Sequence, residues 1–190
     1  MPRTEEQFEE IREQKINLIM QTALELFANE GYYLTSISRI AKKAGISKGL
    51  MYNYFNSKEE LVLALIDKSI EKLTESIDPD QDGFLTEAEF EFHVNENFRI
   101  LVENTDYWKL YFSMMMQPAV FKLVTGKFPD LLPHYKDVIE DYFRRKGVPD
   151  PKIEATCFDA MLDGIFLNYV MNPSGFPLEN IRKTIIKRFK

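Results

Sequence analysis

The sequence predicts an all-α protein, and three observations predict it. Apolar residues recur at helical spacing along most of the chain, β-branched alternation is almost absent, and the few glycines and prolines fall where helices would end. With 190 residues, 45% of them hydrophobic, the chain is long enough for one large domain or two small ones sharing an interface. Nine or ten helices are expected.

The first runs from about Glu6 to Glu30, with Ile16, Ile19, Met20, Ala23, Leu24 and Phe27 on one buried face, and Gly31 ends it as a C′ glycine. Thr35 or Ser36 caps a short second helix that buries Ile37, Ile40, Ala41 and Ala44. Gly45 breaks that helix, Ile46 plugs the turn, and Ser47 starts a third, Ser47 to Phe55. Ser57 caps the fourth, with Glu60 three residues on as a capping box, and Val62, Ile66, Ile70, Leu73 and Ile77 mark its buried stripe. After an acidic turn at 78–85, further helices are expected near 86–104, 107–117, 119–125, 131–146, 151–171 and 178–189. Pro118, Gly126, Pro129, Pro133, Gly147, Asp150-Pro151 and Asn172-Pro173-Ser174-Gly175 punctuate them.

Composition narrows the function. The single cysteine, Cys157, rules out a disulfide framework and suits a reducing compartment. The N-terminus is charged, without the apolar core of a signal peptide, and no apolar run approaches a membrane span, so a cytoplasmic protein with no membrane partner is expected. The net charge of −6 argues against a general nucleic-acid coat. Its distribution is uneven: from Gly31 to Lys58 stand Arg39, Lys42, Lys43, Lys48 and Lys58 with no acidic residue, and a strongly acidic stretch follows. A small basic face on an acidic body suits a protein that touches phosphate with one module.

Two short helices joined by a glycine turn make a helix-turn-helix when the second lies in a major groove. In SKGLMYNYF, Leu50, Met51 and Phe55 are expected inside, and Lys48, Tyr52, Asn53 and Tyr54 outside. Lys48 offers a charge to phosphate or a guanine edge, and the two tyrosines offer hydroxyls. Gly49 lets the backbone approach the duplex. Lys58 and the Thr35 and Ser36 hydroxyls are placed to clamp phosphates on either side.

The stretch ALELFANEGYYLTSISRIAKKAGISKGLMYNYFNSKEEL resembles the DNA-binding domain of the TetR family almost position for position, from about Lys15 to Ile66. The EGY before helix two, the IAKKAGISKG turn and the YNYFNSKEEL exit carry the likeness. The resemblance implies that Thr35, Ser36, Ser47, Lys48, Gly49, Tyr52, Tyr54 and Lys58 lie against a double-stranded DNA operator. It implies residues 1–60 as the reading domain and 61–190 as a ligand-sensing and dimerisation domain. The family often has histidine where this chain has Tyr54, and an aromatic or histidine where it has Asn53; Asn is a bidentate partner for adenine, so Asn53 bears on base preference.

The segment Asp78-Pro-Asp80-Gln-Asp82-Gly83-Phe84-Leu85-Thr86-Glu87-Ala88-Glu89 matches the calcium loop of an EF-hand at its diagnostic positions. Calcium takes about six to eight hard oxygens, and Asp78, Asp80, Asp82, the Phe84 carbonyl, a water near Thr86 and Glu89 would supply them. The same residues admit a reading without metal, because Pro79 and Gly83 make a turn and Thr86-x-x-Glu89 is a capping box. EF-hands resemble paired units, no second loop is present, and a typical TetR repressor carries none.

Beyond Glu87 the chain is rich in aromatic residues and methionine, a composition suited to a pliable pocket for a small apolar or amphipathic ligand. Trp108, Tyr111, Met115, Phe158, Met161 and Phe166 are the candidate walls. Helix 151–171 is apolar on nearly all sides and, with the last helix, is expected to pack against a second copy as a homodimer. An enzyme is not expected: His93 and His134 stand apart, Cys157 has no charged neighbour that would lower its pKa, and no phosphate loop or nucleophile elbow is present. The reading is a ligand-released repressor on a palindromic operator, in which ligand moves helix four. The competing reading is a calcium-responsive interaction module, for which the unbroken basic segment has no use.

Overall fold

In the computed structural model, residues 5–80, 82–125 and 133–190 are described. Residues 1–4, Gly126, Phe128, Pro129 and the start of the helix expected from 131 lie outside them. Ten helices occur among the described residues: α1 Glu5–Glu30, α2 Ile37–Lys43, α3 Lys48–Tyr52, α4 Lys58–Thr74, α5 Glu87–Glu103, α6 Thr105–Met115, α7 Pro118–Thr125, α8 Pro133–Arg145, α9 Pro151–Met171 and α10 Leu178–Phe189. The protein is all-α, as its spacing predicts. Two compact units divide it: residues up to Lys68 together with the segment from Leu110 through α7, and Ser69–Lys109 together with α8 to α10. This division differs from a cut at residue 60, because α7 folds with the N-terminal helices.

In the first unit α1 buries Ile19, Met20, Ala23, Leu24, Leu26 and Phe27, and its N-terminal turns to Gln14 are largely exposed. Gly31 closes it at φ +90°, a left-handed conformation that costs other residues a clash at Cβ. Ser36 caps α2 by accepting from Arg39 N–H at 3.1 Å, and Ser47 caps α3 by accepting from Leu50 N–H at the same distance. Gly45, at φ +68°, makes the turn between them. Helix α3 stops at Tyr52, short of the expected Phe55. Asn53 N–H bonds Leu50 C=O and Tyr54 N–H bonds Met51 C=O, three residues back in each case, so the last turn tightens and ends. Leu61, Val62, Leu65 and Ile66 of α4 complete this core with Val120 and Val124 of α7.

The second unit is built on aromatic rings. Phe90 of α5 stacks on Tyr142 of α8 at 4.7 Å, Phe143 and Phe158 pack around them, and Phe189 of α10 closes the cluster. Ring pairs of this kind add about 0.5–1.5 kcal/mol beyond burial. The Tyr142 hydroxyl donates to the Phe189 carbonyl at 2.9 Å, satisfying the one polar atom such a core must carry. His93 is buried beside Ser76, whose hydroxyl lies 2.8 Å from Nδ1, and burial pushes its pKa down to about 3, so the imidazole stays neutral.

Candidate nucleic-acid interface

The short α3 leaves its outer face to solvent. Ser47, Lys48, Gly49, Tyr52 and Asn53 are exposed, Tyr54 is half-buried, and Met51 and Phe55 are buried beneath them. Leu50, expected inside, is only half-buried. The Lys48 ammonium lies 5.8 Å from the centre of the Tyr52 ring, one turn on, so charge and hydroxyl share one face. Two of the five basic residues of the segment are neutralised by α1. Arg39 makes a fork to Glu30 at 2.5 and 2.7 Å, and Lys43 reaches Glu25 at 3.0 Å. These arginine and lysine partners hold both carboxyls below the usual carboxylate range.

The flanking clamp differs from its sequence reading at two positions. Thr35 is fully buried, and its hydroxyl donates to the Gly31 carbonyl at 2.9 Å, so it fastens the turn before α2 instead of facing a phosphate. Lys58 donates to the Tyr32 carbonyl at 2.8 Å and sits 4.4 Å from the centre of that ring, so its charge is already engaged. Ser36 is exposed, but its oxygen caps α2. Sequence reading missed Tyr33 and Leu34, which stand about four-fifths exposed just before α2. Large apolar residues read as core, and the signal that could have found them is their place between the C′ glycine and the cap of the next helix.

At the acidic loop, the Asp78, Asp80 and Asp82 carboxylates bring oxygens within 4.8 Å of one another. Their hydrogen bonds close the turn: Asp78 accepts from the Asp82 and Gly83 N–H groups at 3.1 Å each, and Asp82 accepts from Phe84 N–H at 2.7 Å. Glu89, the expected bidentate ligand, instead accepts from Thr86 N–H at 2.7 Å while Thr86 accepts from Glu89 N–H, a complete capping box. Three of the expected protein ligands gather, and the carboxylate that would complete them is spent on the helix end.

Three of the candidate pocket walls, Trp108, Phe158 and Phe166, are core rings of the second unit. Phe158 lies in the packed ring cluster, and Trp108 is buried edge-on against Tyr107 and Phe166 at 5.4 and 6.3 Å, so these rings fill core. Met161 is half-buried on α9, and Tyr111 and Met115 belong to the first unit. The second unit holds an open groove of about 790 Å³ elsewhere, walled by Phe98, Arg99 and Val102 of α5, by Tyr169, and by Phe176 and Arg182 around the start of α10. Among the described residues no helix is long and apolar enough to cross a membrane.

A capped helix, a glycine turn and a second short helix with an exposed Lys-Tyr-Asn face make up a helix-turn-helix. Residues 19–65 match the family of bacterial regulatory proteins, tetR family. That match assigns this segment to the DNA-binding domain of the TetR family of transcriptional regulators. It is 49% identical over 59 residues to the uncharacterized HTH-type transcriptional regulator YuxN of Bacillus subtilis, covering 31% of this chain and 20% of that protein. It is 29% identical over 107 residues to the HTH-type transcriptional activator FasR of Mycolicibacterium smegmatis, covering 50% and 48%. A third relative, the HTH-type transcriptional repressor Rv3405c of Mycobacterium tuberculosis, is 32% identical over 92 residues, covering 48% and 49%. The matches thus span half or less of these relatives. The fold extends further: the fatty acid degradation regulator FadR of Bacillus halodurans superposes with a TM-score of 0.73 over 92% of this chain and 94% of its own, at 22% identity. FadR of Bacillus subtilis in complex with stearoyl-CoA gives 0.67 over 90% and 96%, at 18% identity.

Proposed function

We propose that the protein is a one-component repressor that reads a palindromic DNA operator as a homodimer and is released by a small apolar or amphipathic ligand. The observation that carries the reading is the exposed face of α3, where Lys48, Tyr52 and Asn53 stand outward over buried Met51 and Phe55. Ser47, Gly49, Tyr54 and Ser36 join that surface, and Tyr33 and Leu34 extend it toward the duplex backbone. A single short helix reads few bases, so a two-fold pair spaced by about one helical turn supplies the needed specificity. Ile153, Cys157, Ala160 and Met171 of α9 are exposed at helical spacing and offer an apolar stripe for that pairing. Stearoyl-CoA on a protein of the same fold supports the ligand class, and a relative named as a repressor supports the sign, with one named as an activator marking the opposite outcome.

Selection of bound sequences from a random DNA pool tests this directly, with sedimentation of the full chain beside it. An enriched palindrome and a dimer at micromolar concentration support the reading; no enrichment overturns it. A second reading, calcium at residues 78–89, is favoured by one observation, the gathered Asp78, Asp80 and Asp82 oxygens. Calorimetry with calcium chloride against a chelated sample decides it: heat that vanishes in Asp80→Ala supports the site, and no heat in the parent ends it.

A further inference from the structure

One side chain ties the start of the helix-turn-helix to a distant part of the chain. Gln117 follows α6 and immediately precedes α7. Its Oε1 accepts from Tyr32 N–H at 2.7 Å, and its Nε2 donates to the Phe27 carbonyl. The orientation of the amide is fixed by its partners, since an N–H only donates and a carbonyl only accepts. Phe27 lies in the last turn of α1 and Tyr32 lies beyond Gly31, so the amide spans the left-handed joint between α1 and the turn leading to α2. Ser113, one turn earlier on α6, donates to the Ala28 carbonyl at 3.2 Å. From the other side, Lys58 donates to the Tyr32 carbonyl and Glu59 accepts the Tyr32 hydroxyl at 2.6 Å. Both backbone polar groups of Tyr32 are therefore held by side chains.

A helix end leaves carbonyls and following N–H groups without intrahelical partners, and water or a cap normally serves them. Here the Tyr32 N–H is served from 85 residues away, and the Phe27 carbonyl, already accepting from Gly31 N–H at 3.2 Å, takes a second donor. We propose that Gln117 is a positioning residue for DNA reading: it fixes the α1–α2 joint, and through the joint the presentation of α2 and α3. The inference rests on the DNA-reading function proposed above. Its geometric consequence is sharp, because hydrogen bonds weaken steeply with misalignment, so a small displacement of the α6–α7 turn releases both bonds together.

The test uses the full chain and three side chains at 117. Gln117→Met keeps the length and packing but neither hydrogen bond, and Gln117→Glu keeps the acceptor for Tyr32 N–H while losing the donor. Amide hydrogen exchange at Tyr32 is expected to be about fivefold faster in Gln117→Met and unchanged in Gln117→Glu. Affinity for the selected operator is expected to fall about fivefold in Gln117→Met, with its thermal midpoint near that of the parent. A side chain that merely fills space would leave Met equal to Gln in both readouts. Equal exchange at Tyr32 in the parent and Gln117→Met overturns the latch, as does unchanged operator affinity. If the parent itself selects no operator, the DNA-reading function fails, and the exchange measurement still judges the latch alone.

Discussion

Lys48 and Asn53 bracket α3, and their chemistries predict different failures. An ammonium near the duplex acts through phosphate and counterion release, whereas an amide reads an adenine edge with two hydrogen bonds. Lys48→Ala is expected to weaken binding of all sequences alike and lower the salt slope of the operator affinity by about one. Asn53→Ala is expected to cost about 1–3 kcal/mol at the preferred operator and relax preference at one position, with the salt slope kept. Binding isotherms across a salt series, with matched and substituted operators, separate the two. Residues with partners inside the protein behave differently. Thr35 and Lys58 are occupied by the carbonyls of Gly31 and Tyr32, so their loss would act through the turn that presents α2.

At the scale of the element, the acidic loop shows how one sequence serves two physical readings. Thr86 and Glu89 exchange both bonds of a capping box at the start of α5, and Arg145 of α8 donates to the Leu85 carbonyl at 2.9 Å, anchoring the loop end. Lys146 adds an ion pair at 2.7 Å to Glu87, the first residue of the helix. The helix start is thus made without metal. Thr86→Ala is expected to lower stability by about 1 kcal/mol, the usual cost of a lost cap. Because the cap is independent of calcium, thermal denaturation should show the same loss with calcium and with chelator; a loss seen only with calcium would mean that the loop is organised by the ion.

For the whole molecule, a buried acid sets a pH dependence. Burial pushes the Asp159 carboxyl on α9 up to about 6, against the opposing hydrogen bond donated by Tyr135 at 2.9 Å and with the nearby Asp163 raising it further. Unfolded, the same carboxyl titrates near about 3.9. Between these values the folded protein holds a proton that the unfolded chain releases, so this group costs stability as pH rises from about 4 to about 6. Asp159→Asn keeps an acceptor for Tyr135 and carries no charge. It is expected to melt at a higher temperature than the parent above pH 6, the gap closing toward pH 4. Thermal midpoints over that range check it, and a constant gap would exclude ionisation as the cause.

By itself the sequence determined what is local. Helix starts at Ser36 and Ser47, the left-handed stops at Gly31 and Gly45 and the apolar stripe of α1 depend on residues within a turn or two, so spacing and capping chemistry revealed them. The exposed face of α3 was legible for the same reason. Only the tertiary structure decided where side chains with distant partners go. Gln117 finds Phe27 and Tyr32 across 90 and 85 residues, Phe158 enters a ring cluster built from three other helices, and Arg39 and Lys43 are neutralised by acids on α1. No periodicity encodes such contacts, because the chain returns to them only after the helices have packed.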